Sequence, residues 1–136
     1  MKYLLDTNVC IQFLQGKNTI LLERFASIAQ HDKYLCSVVV GELYYGAYKS
    51  IRFEENMKKF QQFIVRFPLL NYDLKAAQYF GKFRADLAQR GTPIGPYDLQ
   101  IAAIAVANGC TLVTHNTDEF SRIADLVLED WEIMKE

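Results

Sequence analysis

The sequence predicts an α/β fold, a three-layer α/β/α sandwich with helices on both faces of a central, mainly parallel sheet. Three observations predict it. Apolar runs of strand length (KYLL, KYLCS, TLVT) alternate with longer stretches of helical periodicity. Breaker and cap residues punctuate those stretches at Gly16, at 91–96 and at Asn108-Gly109. Polar turn residues follow two of the runs directly, at strand ends where parallel sheets gather functional groups.

KYLL is a short buried strand that breaks into the turn-forming Asp6-Thr7-Asn8. Residues 8–14 make a short helix that stops near Gly16. A second helix covers 19–29, where Leu21, Leu22, Phe25, Ile28 and Ala29 recur at helical spacing. KYLCS is the next strand, and Ser37 is placed to N-cap a helix running through Gly41-Glu42 to Lys49. Longer helices follow at 53–66 and 73–89, with Pro68-Leu69-Leu70 a short strand between them. Gly91, Pro93, Gly95 and Pro96 form a breaker loop. Pro96 then opens a helix, where its missing N–H costs nothing, and Asn108-Gly109 stops it. Residues 111–114 form another strand, and LVLED a last one. No repeat, low-complexity tract or long linker divides the chain, so 1–136 reads as a single domain.

Composition narrows the function classes. At 136 residues, 51% hydrophobic and 23% charged, the chain has an ordinary globular balance that argues against disorder. No apolar stretch approaches the roughly 20 residues of a membrane span. The first residues lack the apolar stretch and cleavage site of a signal peptide. Cys10, Cys36 and Cys110 are odd in number and lack CxxC spacing. They read as reduced, buried thiols of a cytoplasmic protein rather than a disulfide framework or zinc site. The net charge of −1 does not advertise a nucleic-acid binder. Its distribution says more: basic residues crowd the middle from Lys49 to Arg90, and acidic ones the end from Asp118 to Glu136. A cationic middle serves either to follow phosphates or simply to solvate helix faces.

Asp6 interrupts an apolar run, and an ionised carboxylate in such a setting is expensive without a partner or a cation. Three further acids look equally misplaced. Glu42 has Val38 and Val39 behind it and Gly46 ahead at helical spacing, so its face is apolar or small. Asp98 opens PYDLQIAAIAVA, and THNTDEF offers Asp118 or Glu119 just after a strand. Singly, each has an ordinary explanation: an internal salt bridge for Glu42, a dipole or capping role for Asp98. Together they converge on one rim of a parallel sheet, where three or four carboxylates bind protons unless a cation compensates. Hard oxygen ligands with open positions suit Mg²⁺ or Mn²⁺. Zinc is unsuited, since His31 and His115 have no ligand-spaced partner. A carboxylate-held divalent ion serves phosphate chemistry. Asp6 and Asp98 are the expected direct ligands, with Glu42 holding a second ion or acting as general base. Thr7, Asn8, Thr114 and Asn116 either hold metal waters or phosphate, or are turn and cap residues.

MKYLLDTNVCI, SVVVGELYYGA and GPYDLQIAAIAVANGCTLVTHNTDEF, in this order and spacing, resemble the PIN-domain ribonucleases, particularly VapC-type toxins of bacterial type II toxin–antitoxin pairs. The resemblance runs from residue 1 to about residue 131. It implies a PIN-like α/β/α sandwich, Mg²⁺-dependent endoribonuclease activity on a structured RNA such as tRNA, and homodimerisation. It also implies inhibition by a VapB-type antitoxin in a larger hetero-oligomer. The family's first three acids fall on Asp6, Glu42 and Asp98. The last motif departs: many PIN domains carry an aspartate where this chain has Asn116, and Glu119, before the phenylalanine, is the expected fourth acid.

Three rivals compete. A haloacid-dehalogenase-like phosphatase also starts with a strand ending in Asp, but its chemistry needs an acid where Asn8 stands. A histidine-pair ribonuclease has only His31 and His115 to use, with nothing to orient them. A metal-free PIN-like binding module is expected to have lost some of Asp6, Glu42 and Asp98, and all three are present. The aromatics of ELYYGAY and the row Phe53, Phe60, Phe63, Phe67 read as core before base-stacking platform or antitoxin groove.

Overall fold

The computed structural model describes residues 1–134; Glu136, counted in the acidic end, lies outside them. Among these residues five short strands pair in parallel: β1 (Tyr3–Leu5), β2 (Lys33–Cys36), β3 (Leu69–Leu70), β4 (Thr111–Val113) and β5 (Leu128–Glu129). Their order is β3-β2-β1-β4-β5. Parallel strands need long crossovers, and helices provide them. These are α1 (Thr7–Gln15), α2 (Thr19–Ser27), α3 (Ser37–Tyr48), α4 (Phe53–Ile64), α5 (Leu74–Gln89), α6 (Pro96–Ala107) and α7 (Thr117–Phe120). The result is the expected α/β sandwich, a parallel sheet flanked by helices.

The central strands are apolar throughout because helices cover both their faces. Leu4, Leu5, Leu112 and Val113 have no exposed surface, and β1 pairs Leu4 with Leu112 and Leu5 with Val113. Truncating Leu4 or Leu112 to alanine would cost about 2–5 kcal/mol. From Ile101 onward helix α6 is apolar all round, with Ile101, Ala102, Ala103, Ile104 and Ala105 fully buried, which is what a central packing helix requires. It packs on α5 and α3. Beyond β5, Trp131 is fully buried against Tyr3, 5.3 Å between ring centres, and its Nε1 donates to Glu129 at 3.0 Å. That anchor fixes the residues on either side of it, Asp130 and Glu132.

The topology makes a crevice. From β1 the chain builds outward through β2 and β3, then returns to start again at β4 on the other side of β1. Ligands of such sheets bind where the order reverses, beyond the carboxyl ends of the two diverging strands. Asp6 follows β1 there and Thr114 follows β4, and the Asp6 amide donates to the Val113 carbonyl at 3.1 Å.

Three local expectations change. Ser37 is the first residue of α3 rather than its cap; Cys36 holds the cap position, and the Ser37 hydroxyl accepts from the Tyr72 amide at 3.3 Å. Helix α2 stops at Ser27, whose hydroxyl turns back to the Arg24 carbonyl at 2.7 Å, and Ile28 is already extended. The aromatics divide. Phe63 and Phe67 are core, whereas Tyr45 and Tyr48 are 65% and 68% exposed. The three cysteines are buried and free. No helix among the described residues is long and apolar enough to cross a membrane.

Candidate active site

Asp6 is 6% exposed, in extended backbone, and caps α1 by accepting from the Val9 amide at 2.9 Å. Burial is the main reason its carboxyl is pushed up to about 6 from an ordinary 3.8. The Thr114 hydroxyl and the Val9 amide pull it down, while the charges of Asp98 and Glu132 push it further up.

Thr7, the first residue of α1, donates its hydroxyl to Glu42 Oε1 at 2.6 Å, joining residues 35 apart in the chain. This bond aims a half-buried glutamate from α3 at the end of β1. The internal salt bridge that would explain Glu42 structurally is absent among the described residues.

Asp98 stands in the first turn of α6, after Pro96, with Gly95 at the cap position and no side-chain cap bond. A capping role therefore does not account for it, although the helix dipole still favours its charge. Its carboxyl is also pushed up to about 6, by burial first and then by Glu119 and Glu42. Asn116, the departure from the common acidic pattern, donates its Nδ2 to Glu119 Oε2 at 3.1 Å, so it steadies the acid it precedes. Glu119 is half-buried, whereas Asp118 is exposed. Thr114 is fully buried, and its hydroxyl accepts from the Asn116 amide at 3.0 Å.

Asp6, Glu42, Asp98 and Glu119 are thus coupled through charge and through the Thr7 bond. No lysine or arginine forms an ion pair with any of them among the described residues. Hard carboxylates, two of them destabilised by burial and crowding, are the donor type a hard divalent cation takes, although no three of their ligand atoms lie within 4.8 Å of one another among the described residues.

Two hollows open at these acids. One, of about 640 Å³, is lined by Glu42 together with Tyr45, Tyr97, Val38, Gly41 and Gln100. The other, of about 460 Å³, lies beside Asp6 and includes His115 and Glu132. His115 corrects an expectation: it does have partners, because its Nδ1 meets Asp130 Oδ2 at 2.9 Å. Ligand atoms of His115, Asp130 and Glu132 all lie within 4.8 Å of one another, a tighter trio than any the four acids make among the described residues. Sequence spacing hid these neighbours. Pairing of Leu112 with Leu128 and of Val113 with Glu129 brings the two segments side by side, and no local pattern encodes that register.

The chain matches the PIN domain family over residues 3–126. It is 42% identical over 131 residues to the tRNA(fMet)-specific endonuclease VapC of Shigella flexneri, spanning 96% of this chain and 98% of that one. Ribonuclease VapC2 of Rickettsia felis is 37% identical over 133 residues, spanning 97% and 99%. Among solved structures, DNA-bound VapBC from Salmonella typhimurium matches with a TM-score of 0.90 at 42% identity, covering 96% of this chain and 98% of that one. FitAcB from Neisseria gonorrhoeae matches with a TM-score of 0.87 at 26% identity, covering 95% and 97%. Sheet order, acidic crevice and these likenesses together define a PIN-domain nuclease fold. Within that class, the chain belongs to the VapC family of ribonucleases.

Proposed function

We propose that the chain is a single PIN domain acting as a Mg²⁺-dependent endoribonuclease, the toxin of a VapBC-type pair. It hydrolyses phosphodiester bonds in a structured RNA, and tRNA is the substrate class suggested by the Shigella flexneri relative. The observation that carries this reading is the uncompensated charge at the crevice: Asp6 and Asp98 both pushed up to about 6, with Glu42 and Glu119 beside them.

In this reading Asp6 and Asp98 hold the ion directly, and Mn²⁺ can replace Mg²⁺. When bound, the ion supplies Lewis acidity to the scissile phosphate and makes water a better nucleophile. Glu42 completes the donor set or acts as base. Thr7 engages its Oε1, so Oε2 is the oxygen available to take a proton from the attacking water. Glu119, braced by Asn116, is the fourth acid. Thr114 supports Asp6 by hydrogen bonding, and Asn8 lines the hollow beside it, where it could meet metal waters or phosphate. The VapBC complexes among the similar structures support a VapB-type antitoxin as partner. The reading adds a homodimer of the toxin inside a larger hetero-oligomer, in the cytoplasm.

The test is cleavage of bacterial tRNA with Mg²⁺, with and without EDTA, followed by analysis of the new ends. The reading expects 5′-phosphate and 3′-hydroxyl ends and complete arrest by EDTA. Cleavage in EDTA with cyclic phosphate ends would point to His115 and His31 instead. No cleavage of any RNA at any metal concentration would make the chain a binding module.

A further inference from the structure

The hollow beside Asp6 differs in chemistry from the acid rim. Asn8 and Gln12 lie four apart on α1 and so share a face; Asn8 is exposed and Gln12 half-buried, which leaves both amides open to a ligand. The same hollow is lined by His115, whose side chain is 61% exposed while that of Asp130, which holds its Nδ1, is only 11% exposed. Asp130 is itself fixed, because its Oδ1 accepts from the Glu132 amide at 2.9 Å. A solvent-facing imidazole is thereby held by a nearly buried carboxylate at the mouth of the crevice. With Nδ1 engaged, Nε2 is the nitrogen left for a ligand. The hydrogen bond to Asp130 favours the doubly protonated ring, and the charges of Glu132 and Asp6 act in the same direction.

Among the residues lining this hollow, His115 is the one able to carry positive charge, and Asn8, Gln12 and Asn116 add neutral donors. Asp6 and Glu132 are the opposing acids. A ligand here has to be rich in acceptor oxygens, extended, and continuous with whatever reacts at Asp6. Resting on the ribonuclease reading above, we infer that this hollow is a backbone subsite: His115, braced by Asp130, donates from Nε2 to the RNA phosphodiester next to the one being cut, with the Asn8 and Gln12 amides donating beside it. Asp130 is then a positioning residue that acts through His115.

The probe is total bacterial tRNA, in which the wild-type cuts are mapped, followed by a synthetic RNA spanning one mapped cut. His115→Ala should raise KM about five- to tenfold, the loss of one hydrogen bond to a charged group, with kcat changed less than twofold. A methylphosphonate at the linkage adjoining the cut should raise the wild-type KM by a similar factor and leave the His115→Ala KM unchanged. Gln12→Ala gives a second variant, expected to raise KM about threefold, should loss of His115 unfold the chain. A His115→Ala KM within twofold of wild type would overturn the inference while sparing the ribonuclease reading. Methylphosphonate effects that multiply with the mutation would do the same. Absence of cleavage by the wild type would overturn both.

Discussion

The sheet buries two charges, one at each end, and they are treated oppositely. Lys33 begins β2 and is 3% exposed. Its Nζ donates to the Phe25 carbonyl at 2.7 Å and lies 3.9 Å from the centre of the Phe25 ring. Burial lowers its pKa, and the fold itself supplies its partners. Asp6, past the end of β1, also has partners in Val9 and Thr114, yet its strongest charged neighbours are other acids. One buried charge is answered from within, whereas the other is set among charges of its own sign. Burial alone therefore does not mark a site; an unanswered charge does.

The largest effect that can break this contrast is on cleavage. Asp6→Asn and Asp98→Asn should each reduce RNA cleavage by at least about 10²–10³-fold, with far-ultraviolet circular dichroism unchanged. Lys33→Met should leave cleavage within about twofold of wild type while changing stability by about 1–2 kcal/mol. Loss of cleavage in Lys33→Met with the fold intact would erase the distinction between the two ends.

The next effect is the pH dependence of stability without metal. Asp6 titrates near 6 when folded and near 3.8 when unfolded, so the unfolded chain loses its proton first as pH rises. The stability this proton confers is fully present below about pH 4 and is lost as pH rises through about 6, a change of about 3 kcal/mol. Asp98 shifts in the same direction and adds to it. Asparagine is as good an N-cap as aspartate. Asp6→Asn should therefore keep α1 in place, flatten the pH profile and stabilise the metal-free protein at pH 7, as measured by urea unfolding. Destabilisation at pH 7 would mean that Asp6 is answered after all.

A smaller effect sharpens the role of Thr7. Thr7→Val removes the bond to Glu42 Oε1 without changing the charge of the site, and should cost about tenfold in cleavage. Its Mg²⁺-dependent rise in thermal midpoint should survive, since the direct ligands are intact. At a hundred times the dissociation constant that rise corresponds to about 3 kcal/mol, and in Asp98→Asn it should be absent.

Much of the frame was legible in the sequence because parallel strands and their crossover helices leave local signatures. KYLL, KYLCS and TLVT became β1, β2 and β4, and Pro96 opened α6 as its fixed backbone angle predicts. Asp6 and Asp98 stood out because a carboxylate in an apolar run is costly wherever the run folds. What stayed hidden depends on register. Thr7 reads as a turn residue until α3 is laid beside α1, and only then does its hydroxyl find Glu42. The partners of His115 are invisible in the sequence because Asp130 and Glu132 lie far along the chain and arrive through the pairing of β4 with β5. Ser37 departs from the expected cap for a related reason: its hydroxyl serves Tyr72, a residue no local rule connects to it.

Calorimetric titration of the metal-free protein with MgCl₂ at pH 6, in two buffers of different ionisation enthalpy, tests the unanswered charge most directly. Asp6 and Asp98 are each about half protonated at that pH, so binding should expel about one proton, falling toward none at pH 8. Binding heat identical in the two buffers at pH 6, or no heat at all, would contradict the account.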